Sequence, residues 1–133
     1  MRTPDTPPRR WTASGARGPA TVTLHTASAP DSDRATVTTV TVVGDVDHAN
    51  VDIVRLALTT ARETGCRSTT VHLGAVDFAD STLLQALIDA QREHRAHGAL
   101  LYLTGPLSVT ADRLLDTTGT RTYFTFTTPR TDA

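Results

Sequence analysis

The sequence predicts an α/β fold: a mixed, mostly parallel β-sheet packed with α-helices, its first strand pair antiparallel. Three observations predict it. After an initial pair of strand patterns, helix and strand patterns alternate, as in a parallel sheet with crossover helices. Residues 99–103, Ala-Leu-Leu-Tyr-Leu, are apolar throughout, as expected of a strand buried on both faces. Residues 76–87 pass from a strand end through a short acidic loop into an amphipathic helix.

The elements follow in order. Residues 1–19 are rich in Pro, Arg, Thr and Gly without periodicity. They read as a flexible tail, with Trp11 exposed on a mobile arm. Residues 20–127 read as one domain and 128–133 as a polar end. Thr21-Val22-Thr23-Leu24-His25-Thr26 alternates as a first strand. A turn follows at residues 29–33, then a β-branched strand over 36–43. Val51, Val54, Leu58 and Ala61 mark one face of a first helix, stopped by Gly65. Residues 68–73 form the third strand. The second helix spans about residues 81–97, and Leu84, Leu87, Ile88 and Gln91 sit at helical spacing. Leu107, Ala111, Leu114 and Leu115 mark a third helix before Gly119, and residues 123–126 read as a last strand.

Size and composition narrow the function. A chain of 133 residues supports one modest core. Its formal net charge of −1 provides no field to steer it to nucleic acid or a membrane surface. All thirteen basic residues are Arg. Cys66 is the single cysteine, which fits a reducing cytoplasm and does not read as a nucleophile. No apolar run approaches the ~18 residues of a membrane span. Arg9-Arg10 is not followed by the apolar stretch of a twin-arginine signal.

The chemistry centres on Asp80 and Ser81. Asp80 suits the N-cap of the second helix, leaving Ser81 in its first turn beside unpaired N–H groups. A phosphate on Ser81 would be favourably placed there. Thr82 reads as a first-turn residue. Asp45, Asp47 and His48 are too close in sequence to make a metal site without distant help. His94 and His97, among charged neighbours, read as a solvated face. No glycine-rich phosphate loop, H-E-x-x-H or G-x-S-x-G is present.

Three stretches resemble the STAS domains, the fold of anti-sigma factor antagonists. Val76-Asp77-Phe78-Ala79-Asp80-Ser81-Thr82-Leu83-Leu84 is similar to the family's Phe-containing strand end followed by Asp-Ser-Ser-Gly-Leu, with Leu83 in place of the glycine. Gly44-Asp45-Val46-Asp47 resembles the landmark Gly-Glu-Leu/Ile-Asp. Residues 109–119 resemble the closing pattern, with Arg113-Leu114-Leu115 and Gly119 in place. The likeness covers about residues 20–127.

The resemblance implies a non-enzymatic, cytoplasmic regulator without cofactor. Ser81 would be phosphorylated by a partner anti-sigma factor serine kinase and reset by a serine phosphatase. Asp45, Asp47, His48, Asp80, Ser81, Thr82 and Leu83 would form the partner surface, with no direct nucleic-acid or membrane contact. Two rivals stand beside this reading. One is an interaction or small-ligand-sensing domain independent of phosphorylation. The other is an enzyme using Asp77, Asp80 and Ser81 in phosphoryl chemistry.

Overall fold

The computed structural model describes residues 8–28, 36–65 and 67–127. Residues 1–7, the expected turn at 29–33, Cys66 and the polar end 128–133 lie outside them.

One six-stranded sheet has the order β1-β2-β3-β4-β5-β6. The strands are β1 (Arg9–Ser14), β2 (Pro19–Ser28), β3 (Thr36–Val46), β4 (Ser68–Ala79), β5 (Leu100–Thr104) and β6 (Thr125–Thr127). Both β1–β2 and β2–β3 are antiparallel, and β3 through β6 run parallel. The helices are α1 (Val51–Glu63), α2 (Ser81–Ala96) and α3 (Val109–Thr118). The mixed fold and the antiparallel β2–β3 pair are as expected.

The parallel strands step across the sheet in one direction. Right-handed crossovers then place all three helices on the same face. Burial follows that geometry. Val22, Leu24, Val40, Val42, Val71, Leu73, Leu101 and Leu103 point under the helices and are buried. The alternate positions Thr23, Thr39, Thr41, Thr70, His72 and Tyr102 remain partly exposed. Threonine suits that open face, because it is β-branched and polar. Burial on both faces does not hold for β5: Leu100 is 50% exposed, since no helix covers its side of the sheet.

The flexible tail expected over residues 1–19 is corrected for residues 8–19. Residues 9–14 form a strand in register with β2, Trp11 opposite Val22 and Ala13 opposite Ala20. Trp11 packs partly buried against the core, and Arg9 stacks on its ring. An edge strand bearing Arg9 and Arg10 also resists pairing with another chain.

Gly44 is required where β3 meets β2. Its φ of +99° lies in the left-handed region, and a Cβ there would fall 2.4 Å from the Pro19 carbonyl oxygen. A register shift between Gly44 and Asp45 re-aims the strand end that carries Asp45.

On α2, Leu83, Leu87, Ala90, Gln91 and His94 form one buried stripe. His94 is therefore not on a solvated face. It is fully buried, its Nε2 lies 2.8 Å from Thr69 Oγ1, and its Nδ1 is 2.8 Å from the Ala90 carbonyl oxygen. His97 is exposed, as expected. Near the C-terminus a 3₁₀ turn (Arg121–Tyr123) replaces the start of the expected last strand.

Candidate partner-binding site

The site lies where β3 and β4 end side by side. Their parallel register pairs Asp45 with Phe78 and Val46 with Ala79. The loop after β3 and the single residue joining β4 to α2 therefore leave the sheet together. In open α/β sheets the carboxyl ends of parallel strands are where binding sites form.

Asp80 is the N-cap of α2, with extended backbone angles. Its Oδ1 accepts the Thr82 N–H at 2.9 Å and also the Thr82 hydroxyl. Thr82 is thus committed to the cap and its hydroxyl is occupied. Ser81, the first helical residue, is exposed and makes no side-chain hydrogen bond with any described residue. Its hydroxyl stands free at the positive end of a 16-residue helix.

Leu83 cannot face a partner: its side chain is fully buried in the core. The residue in the family's glycine position is a packing residue here.

Asp47 is likewise buried and turned inward. Its Oδ2 accepts the N–H groups of Ala16 at 2.9 Å and Arg17 at 3.3 Å, and its Oδ1 that of Ala49 at 2.8 Å. Burial acts to raise its pKa. The bonds from Ala49, Arg17 and Ala16, with the nearby His48, outweigh that and hold the carboxyl below its ordinary value. Asp47 is therefore a clamp on the chain's own β1–β2 turn rather than an open partner contact. His48 is exposed and Asp45 partly buried.

Two residues escaped the sequence reading. Asn50 precedes α1 and looks like an N-cap, yet makes no capping bond. Its Oδ1 accepts the Asp47 N–H at 3.0 Å, and its Nδ2 donates to the Asp45 carbonyl oxygen at 2.8 Å. It ties the loop to itself instead of to the helix. The second is Arg17, whose guanidinium carbon lies 4.1 Å from the Phe78 ring centroid. An aromatic residue beside an acidic loop was the only hint of that stack.

The chain is a small α/β domain with a serine hydroxyl, bonded to no described residue, exposed at the start of α2. The chain belongs to the STAS domain family, whose model matches residues 28–132. Among solved structures, an anti-sigma factor antagonist from Mycobacterium paratuberculosis is 24% identical, with a TM-score of 0.59. That match covers 80% of this chain and 93% of the other. The unphosphorylated anti-sigma factor antagonist SpoIIAA is 20% identical, with a TM-score of 0.58 over 70% of this chain and 81% of that one. The phosphorylated form of SpoIIAA, a Bacillus cell fate determinant, is 21% identical, with a TM-score of 0.53 over 70% and 84%. No curated protein sequence matches significantly.

Proposed function

We propose that this protein is an anti-sigma factor antagonist, a non-enzymatic cytoplasmic switch in a partner-switching pathway. Its unphosphorylated form binds an anti-sigma factor serine kinase and so frees a sigma factor. The kinase then transfers a phosphoryl group from ATP to Ser81. The Ser81 Oγ–phosphorus bond forms as the bond to ADP breaks, and the hydroxyl proton passes to a base on the kinase. A serine phosphatase restores the hydroxyl by hydrolysis.

One observation carries the reading. The Asp80 side chain caps the helix through Thr82, and the Ser81 hydroxyl is exposed and bonded to no described residue. A phosphate there adds about −1.5 to −2 charges without disturbing the core. Asp45, His48, Asp80 and Ser81 are the residues we assign to the partner surface, and added charge among them weakens an acidic partner's hold. Among the described residues no helix is long and apolar enough to cross a membrane.

The test begins with capture of partners from native lysate on the wild-type protein. The captured kinase is incubated with ATP and the protein, and the modified residue is located by mass spectrometry. Calorimetry then compares wild type, Ser81→Ala and Ser81→Asp against that kinase. We expect one phosphate on Ser81, wild-type affinity for Ser81→Ala and weaker binding by Ser81→Asp. Equal affinities with no phosphate on Ser81 would leave a phosphorylation-independent interaction domain.

A further inference from the structure

The N-terminal hairpin brings a cation to the edge that carries Ser81. Its tip is fastened at two points. The Ala16 and Arg17 N–H groups bind Asp47 Oδ2. Gly15 packs so closely that a Cβ there would come within 2.5 Å of Asp47 Oδ1. The Arg17 side chain lies across to β4, its guanidinium carbon 4.1 Å from the Phe78 centroid.

Both anchors lie at the end of the sheet where Asp80 and Ser81 begin α2. The register runs from Asp45 opposite Phe78 to Val46 opposite Ala79. Asp47, which holds the Arg17 backbone, follows β3 directly, and Phe78, which holds its guanidinium, lies three residues before Ser81. Arg17 is exposed and forms no ion pair with any described residue. A guanidinium stacked through its face keeps its in-plane N–H donors free for a bidentate acceptor.

The surrounding charge calls for such a donor. Asp45, Asp47, Asp77 and Asp80 all lie at this end of β3 and β4. A dianionic phosphate on Ser81 enters a field of carboxylates, and Arg17 is the cation that the hairpin tip holds beside them.

We infer that Arg17 is the internal counter-charge of phosphorylated Ser81. Pivoting on Phe78, the guanidinium takes two phosphate oxygens in a charge-assisted pair. The hairpin tip thereby follows the phosphorylation state of the site. The family match begins at residue 28, so β1, the tip and Arg17 lie ahead of it. The inference rests on Ser81 being the modified residue, as proposed above.

The experiment uses the full chain with phosphoserine genetically encoded at position 81, so that no kinase is needed. Phosphorus NMR follows the second ionisation of that phosphate, alone and with Arg17→Gln or Arg17→Lys. Far-UV circular dichroism confirms that each variant is folded. We expect Arg17→Gln to raise the phosphate pKa by roughly 0.3–1 unit, the direction expected when a nearby opposite charge is removed. Arg17→Lys should recover part of the shift, and high salt should shrink it. An unchanged titration in Arg17→Gln, or a lysine variant identical to the glutamine one, overturns the pairing. If Arg17 controls the installed phosphate but no kinase ever modifies Ser81, the pairing stands and the proposed function fails. The reverse pattern removes the pairing alone.

Discussion

Asp47 Oδ2 accepts the Ala16 N–H at 2.9 Å, fastening the loop after β3 to the turn of the N-terminal hairpin. Three backbone donors converge on this one buried carboxylate, and together with His48 they hold its pKa below the ordinary value against the opposing effect of burial. A folded-state pKa that is depressed contributes stability above the unfolded carboxyl value of about 3.9. That contribution disappears as pH falls through the lower folded value.

Asp47→Asn should therefore be less stable than wild type at neutral pH, with the gap closing below about pH 4. Urea midpoints measured between pH 7 and pH 3 check this. Parallel profiles for the two proteins would mean that the ionised carboxylate contributes nothing to the clamp.

Removing residues 1–18 should destabilise the domain, contrary to what their composition suggests. The deletion takes away β1, the Trp11 packing and the two donors to Asp47. Burying a large apolar side chain contributes about 1.5–3 kcal/mol when complete, and Trp11 is only partly covered. A loss of about 1–3 kcal/mol corresponds to a fall in Tm of several degrees. Thermal melts of the deletion and of Trp11→Ala measure it. A Tm within a degree of wild type would show that the hairpin rests on the domain without stabilising it.

The elements that could be read in the sequence were those whose pattern is local. The α1 stripe Val51, Val54, Leu58 and Ala61 is buried as its spacing requires. Asp80 caps α2 because a short acidic side chain before a helical run has few other uses. Long-range geometry was not legible. Trp11 is one apolar residue among Pro, Arg and Gly, and its strand forms through long-range pairing with β2, where it lies opposite Val22. His94 stands between charged residues, yet it falls on the stripe of Leu83 and Leu87, and Thr69 is there to meet it. Asp47 and Asn50 look like surface groups until the hairpin is folded over them. The one-sided cover of β5 follows from strand order, which no local window contains.

Leu83 illustrates the same point at the candidate site. Its position in the family pattern suggested a partner contact, whereas its side chain is fully buried. Leu83→Gly should cost about 3–6 kcal/mol. The cavity left by a buried leucine accounts for about 2–5 of this, and glycine's low helix propensity adds about 1. Chemical denaturation measures the cost. A loss below about 1 kcal/mol would mean that the core closes around the glycine and that Leu83 is free to serve the surface.

Asp80 and Ser81 are adjacent and should behave oppositely under truncation. Asp80 accepts both Thr82 donors, so Asp80→Ala removes a working cap and should cost about 0.5–2 kcal/mol. Ser81 bonds to no described residue and is exposed, so Ser81→Ala should stay within about 0.5 kcal/mol of wild type, as exposed substitutions usually do. Ser81→Asp should also fold. A carboxylate in the first turn gains about 0.3–1 kcal/mol from the helix dipole, and repulsion from Asp80 offsets part of that. Urea denaturation of the three variants at neutral pH decides the matter. If Ser81→Ala costs as much as Asp80→Ala, the serine hydroxyl belongs to the cap and is not free to accept a phosphate. If only Asp80→Ala is costly, the helix start has divided its labour: one residue holds the fold, and the next is left open to chemistry.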